Sequence, residues 1–256
     1  MKSPIITQYA WRISYNINRR GFFLILLFMF SVLSGIQASN DTTTLYLFPG
    51  QGSDFRIFNR LTWNGSVDTV YMVYPVPEKN ESLHDYALRF IPLIDTSKPF
   101  ILIGVSLGGM ICTELADTLH PEKVILISSA KSSDELPGRY TFQKSIKLNK
   151  MVPEKTVKKG AIYLQPIVEP DSREDLDFFR SMLGSKDPIY LKRTVDMIIN
   201  WDRTNYHPNI IHIHGEHDHT IPLKNVHADY VIKNGSHMMV YTRAEEIVEI
   251  LNIILK

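Results

Sequence analysis

From residue 42 onward, short apolar runs alternate with segments whose apolar positions recur every three or four residues. The runs predict strands at Thr44–Phe48, Thr69–Tyr74, Phe100–Val105, Val124–Ser128, Ile210–His214 and Asp229–Lys233. Most are rich in Val, Ile, Leu or Tyr and stop at Gly, Pro or Ser. The three-to-four spacing predicts helices over Phe55–Thr62, Ser82–Ile94, Gly108–Leu119 and Ala244–Ile254. In "SLHDYALRFIPLI" it is carried by Leu83, Tyr86, Ala87, Phe90 and Ile94. Pro121 cannot continue the hydrogen-bond ladder of the third helix and closes it. Strands alternating with helices imply an α/β class fold: a mostly parallel sheet of about six strands, covered by helices on both faces.

One segment breaks the rhythm. Residues 131–208 show no clear buried strand except the short run "AIYLQPI", and they are richer in charge. "SREDLDFFRSMLG" and "DPIYLKRTVDMIINW" read as helices. A structureless loop of this length is rare in a compact domain. The expectation is a helical cap inserted over the edge of the sheet, within a domain spanning 39–256.

Composition is that of an ordinary globular chain: 256 residues, 44% hydrophobic and 21% charged. A formal net charge of +1 leaves no nucleic-acid footprint. Residues 1–38 differ, holding Lys2, Arg12, Arg19 and Arg20 and no acid. After Arg19-Arg20 comes "GFFLILLFMFSVLSGIQAS", with a small residue at Ala38. This layout predicts a secretory signal, or an uncleaved anchor that associates with a membrane through residues 21–36. The protein is then exported, periplasmic or secreted, or held at a membrane. The single cysteine, Cys112, rules out an internal disulfide and reads as a small core residue.

The strongest chemical signal is "ILIGVSLGGM". Gly104-Val105-Ser106-Leu107-Gly108 fits G-x-S-x-G between a strand and a helix. A sharp turn there lifts a serine hydroxyl clear of the sheet, and side chains at 104 and 108 would collide within it. The Leu107 amide, at the helix start, can face a developing oxyanion. A nucleophilic serine needs a histidine base, and the base needs an orienting acid. "KNGSHMMVYTRAEEI" puts His237 in a turn after the last strand. "IHIHGEHDHTIP" puts Asp218 in the loop after the preceding strand. All three lie beyond C-terminal strand ends, where such sheets gather their ligands.

Together "FPGQGSD", "GVSLGG", "GEHDHTIP" and "GSHMMV" resemble the α/β-hydrolase superfamily from about residue 42 to the end. The resemblance implies Ser106 as nucleophile, His237 as general base and Asp218 as orienting acid. Two departures stand out. The first two strands of the full eight-stranded sheet are missing, and Pro49 precedes Gly50 where many members carry histidine. The flexible turn Gly50-Gln51-Gly52 brings a second oxyanion donor, the Gln51 amide, with Gly52 in reserve. "FPGQGS" also resembles acyl-carrier-protein acyltransferases. Asp54, the short distance to Ser106 and the lack of arginine in "LGGMICTELADTLHPEK" argue against them.

Other residues compete for roles. Asp134, in "SSAKSSDEL", is the alternative acid, and Glu216 reads as solvated. His212, His214, His217 and His219 invite a metal reading, but no cysteine supports it, and metal-free histidines near Asp218 are the preferred reading. Trp201 fits either core or pocket, as do Met110, Met238 and Met239. The expected activity is hydrolysis of a carboxylic ester, thioester or amide of a small, partly apolar acyl substrate, with no cofactor. The alternative is a hydrolase-like binding protein without turnover. Oligomeric state is left open.

Overall fold

The computed structural model describes residues 42–140, 142, 152–168 and 173–256; the expected leader at 1–38 lies outside them. Six strands form one sheet: β1 (Thr43–Phe48), β2 (Val67–Tyr71), β3 (Phe100–Val105), β4 (Lys123–Ile127), β5 (Ile210–Gly215) and β6 (Tyr230–Ile232). Their order is β2-β1-β3-β4-β5-β6, and every pair is parallel. The helices are α1 (Leu83–Leu88), α2 (Leu107–Leu119), α3 (Glu154–Val168), α4 (Arg173–Ser185), α5 (Pro188–Asn200), α6 (Met239–Thr242) and α7 (Ala244–Ile254). Among the described residues no helix is long and apolar enough to cross a membrane.

The central strands are apolar on both faces because each face has its own core. Side chains alternate along a strand, so neighbours in sequence enter different layers. Tyr46, Phe48, Phe100, Leu102, Val124 and Leu126 pack with α1 and α2 on one face. Leu45, Leu47, Ile101, Ile103, Ile125 and Ile127 pack on the other with Phe179 and Met182 of α4 and with α7. Full burial of a side chain such as Phe48 or Leu102 contributes about 2 kcal/mol. Cys112 is buried in the first layer.

The predicted elements need four corrections. β2 ends at Tyr71, earlier than expected, because it is an edge strand paired only with β1 and that pairing stops at Leu47↔Tyr71. Phe55–Thr62 is not an α-helix. Asp54 Oδ1 accepts from the Arg56 amide and closes a tight 3-10 turn over Phe55–Phe58. The helix expected to reach Ile94 ends at Leu88 and resumes as a 3-10 turn at Ile91–Leu93. Pro92 has no N–H for the ladder, and its ring opposes the preceding turn. Finally, "AIYLQPI" is part of α3 rather than a strand; Ala161 and Ile162 pack against Leu183, Tyr190 and Leu191 of α4 and α5. Helices α3, α4 and α5 occupy the interval expected to form a helical cap.

Candidate active site

The turn between β3 and α2 forces Ser106 into a rare backbone conformation, φ 52° and ψ −120°. A side-chain-bearing residue there stores strain on the order of 1–3 kcal/mol. The surroundings hold it: the Ser106 amide donates to Ile127 O at 3.1 Å, and Ser129 Oγ donates to Ser106 O at 2.6 Å. The glycines are required by space. A Cβ on Gly104 would meet the Gly108 backbone at 2.4 Å, and one on Gly108 would lie 2.2 Å from Phe48 O. That second contact seats the first turn of α2 against the loop carrying Gln51.

Asp218 and His237 arrive on two loops that cross at glycines. A Cβ on Gly215 would sit 2.3 Å from Gly235 O. Close approach lets the His217 amide donate to Gly235 O at 2.9 Å and the Glu216 amide to Ile232 O at 3.0 Å. Asn234, at φ 55°, supplies the left-handed step in the turn. The loops deliver three side chains in series. His237 Nδ1 donates to Asp218 Oδ2 at 2.8 Å, and Ser106 Oγ donates to His237 Nε2 at 2.9 Å. Asp218 Oδ1 accepts from the amides of Thr220 and Ile221, both at 2.8 Å. Burial opposes the Asp218 charge, but His237 and these hydrogen bonds outweigh it and hold the carboxyl below its ordinary value. Ser106 remains partly open to solvent, while Asp218 and His237 are buried.

The alternative residues lie elsewhere. Asp134 is exposed in the 3-10 turn Ser133–Glu135, and Glu216 is exposed. His212 and His214 are fully buried and bonded to each other. His214 Nε2 donates to Ile221 O at 2.8 Å, so its Nδ1 is the acceptor for His212 Nε2 at 3.0 Å. Burial holds both imidazoles below their ordinary pKa. His214 Nε2 also lies 3.4 Å from Asp218 Oδ2 and so backs the carboxylate. Trp201 belongs to the core, its Nε1 donating to Glu114 Oε1 at 2.7 Å. Met238 faces the cavity, Met239 is core, and Met110 contributes to both.

A cavity of about 390 Å3 opens beside Ser106 and His237. Its walls come from the Gly50–Ser53 loop, the Asp218 loop and helices α4 and α5, including Phe179, Leu183 and Ile198. Leu107 is the first residue of α2, and Gln51 borders the cavity from the facing loop. The Gln51 side chain turns to α5 instead, donating from Nε2 to Thr194 Oγ1 at 2.7 Å and Leu191 O at 3.1 Å. Tyr74 Oη donates to Pro49 O at 2.7 Å and holds the same loop from behind. Neither Thr194 nor Tyr74 carries a motif, so sequence reasoning passes over both.

No protein-family model matches the chain, and no curated protein matches it. Solved structures do resemble it. A hydrolase from Pseudomonas aeruginosa superposes with a TM-score of 0.64 at 14% identity, covering 85% of this chain and 91% of its own. An enol-lactonase from Burkholderia xenovorans gives 0.63 at 14%, covering 86% and 93%. A thermophilic esterase from Thermogutta terrifontis gives 0.61 at 13%, covering 84% and 89%. With six parallel strands in this order and a serine turn after β3, these likenesses show that the chain has the α/β-hydrolase fold.

Proposed function

We propose that the protein is a serine hydrolase that cleaves a carboxylic ester, thioester or amide through an acyl-enzyme. The observation that carries this reading is the unbroken Ser106–His237–Asp218 series, with contacts of 2.9 and 2.8 Å, at the wall of a cavity. The esterase and lactonase activities named for structural neighbours are in keeping with it.

Ser106 Oγ attacks the carbonyl carbon as its proton passes to His237 Nε2. Asp218 accepts the Nδ1–H, fixes the tautomer whose Nε2 lone pair acts as base, and stabilises the imidazolium. The oxyanion accepts from the amides of Leu107 and Gln51. Loss of one such donor slows a reaction by about 100- to 1000-fold. His237 then gives its proton to the leaving group, and the acyl group stays on Ser106. Water, deprotonated by His237, completes the cycle. The apolar wall suits an apolar stretch of substrate.

The test is hydrolysis of a short- to medium-chain p-nitrophenyl ester series by the full chain, beside Ser106→Ala. Turnover that disappears in the variant supports the serine mechanism. Equal rates in both proteins, with no labelling of Ser106 by a fluorophosphonate, overturn it. Residues 1–38 are proposed as an export signal or membrane anchor. N-terminal sequencing of protein from the membrane and soluble fractions distinguishes these.

A further inference from the structure

We propose that the natural substrate carries a carboxylate, and that Arg139 binds it. This rests on the hydrolase reading for its kinetic consequence, though the binding site itself does not. Arg139 lines the cavity beside Ser106. Among the described lining residues it is the one permanently charged side chain, and none of them is Asp or Glu.

The manner in which Arg139 is held bears on its charge. Arg56, Arg60, Arg89, Arg180, Arg203 and Arg243 each pair with a carboxylate. Arg139 instead meets backbone carbonyls, as Arg193 does at Pro77 O, but of these two only Arg139 lines the cavity. Nη2 donates to Thr220 O, and Nη1 and Nη2 each lie 3.5 Å from His219 O. Its guanidinium carbon is 5.4 Å from the centre of the Tyr140 ring. Carbonyl dipoles and a ring face orient the group without cancelling its charge. These contacts also leave part of its five-donor fork for a ligand. The fork matches a carboxylate with two parallel hydrogen bonds. One cation neutralises a monoanion, whereas a phosphate dianion would call for a second, and none of the described lining residues supplies it.

The placement also orients the substrate. Thr220 and His219 belong to the loop of Asp218, and the Thr220 amide donates to Asp218 Oδ1. An anion on Arg139 is therefore anchored to the same loop that holds the acid. The apolar walls at Phe179, Leu183 and Ile198 take the carbon chain.

The test uses two matched pairs of esters with the full chain. One pair differs on the acyl side, p-nitrophenyl valerate against mono-p-nitrophenyl glutarate. The other differs on the alcohol side, phenyl acetate against 4-acetoxybenzoate. The expected result is that the anionic member of at least one pair is preferred in kcat/KM by about tenfold, as fits a charge-assisted contact. Arg139→Gln collapses that ratio and Arg139→Lys retains part of it, both with melting temperatures near wild type, because Arg139 is exposed. Neutral preference in both pairs, or an anionic preference that survives Arg139→Gln, overturns the proposal. A second readout is calorimetric titration of Ser106→Ala with monomethyl glutarate, repeated after adding Arg139→Gln. Binding that needs Arg139, without turnover of any ester, would sink the hydrolase reading and leave the anion site standing. Turnover with ratios indifferent to Arg139 would do the reverse. Absence of both charge preference and titratable binding overturns the anion site.

Discussion

Gln51 Nε2 donates to Thr194 Oγ1 at 2.7 Å, although 143 positions separate them in sequence. The bond joins the loop before the first 3-10 turn to α5. Thr194 is fully buried and its hydroxyl also bonds Tyr190 O and Leu191 O, so it is a fixed post. Thr194→Val keeps the shape and removes the post. We expect kcat to fall about tenfold with little change in KM, because the proposed Gln51 amide loses its aim while the pocket wall stays. Stability should fall by about 1 kcal/mol. Steady-state kinetics and urea titration check both; a rise in KM alone would mean the bond only shapes the pocket.

Strain at Ser106 separates stability from activity. Ser106→Gly and Ser106→Ala both remove the proposed nucleophile, but only glycine tolerates φ 52° without cost. The glycine variant should be more stable than the alanine variant by about 1 kcal/mol, after its own unfolded-state entropy is allowed for. Equal melting temperatures would show that the turn is relaxed.

Glycines in this chain should respond to alanine in opposite ways. Gly108→Ala sets a Cβ 2.2 Å from Phe48 O and should cost about 3 kcal/mol or more, with loss of activity. Gly160, inside α3, has no described residue within 4 Å of where alanine would place its methyl group. Gly160→Ala should stabilise by up to about 1 kcal/mol. Thermal melts of the two variants are the check.

Stability should decline on mild acidification. Burial lowers the pKa of His212 and His214 below the ordinary 6.5, so below about pH 6.5 the unfolded chain binds protons that the folded chain refuses. Their contribution is complete above pH 6.5 and is lost as pH falls toward the folded values. The slope has a ceiling of about 1.4 kcal/mol per pH unit for each histidine. Asp218 is also depressed, but its window opens only below its ordinary 3.8. Urea midpoints at pH 7.5, 6.5 and 5.5 test this, and His212→Asn should flatten the slope. A flat wild-type profile would show that both rings can charge in place.

Much of this architecture is legible in the residues because its causes are local. The strands β3 and β4, and most of β1, announce themselves by apolar runs, which burial on both faces demands, while β5 alternates isoleucine with His212 and His214. Ser106 is marked by glycines that no other residue could replace at those distances. Misreadings fall partly where a distant partner decides: β2 ends where its pairing with β1 ends, and "AIYLQPI" is helical because α4 and α5 pack against it. The two others, at Asp54 and Pro92, come from local turn chemistry that apolar spacing does not carry. Gln51 stands out in the sequence for its amide, but its side chain answers to Thr194, far along the chain. Arg139 sits between motifs, and only its seat on the His219 and Thr220 carbonyls separates it from an ordinary surface arginine.

The crossing of Gly215 and Gly235 has a consequence for how this sequence can drift. Neither residue touches a reacting atom, yet any side chain at Gly215 would wedge apart the loops that bring Asp218 and His237 within 2.8 Å. In a saturation-mutagenesis map scored on activity, Gly215 should be as intolerant as Ser106. His217, an exposed neighbour, should accept most side chains other than proline, since it is its amide that bonds Gly235 O. Heritable constraint would then follow the hinge between two loops as closely as it follows the chemistry.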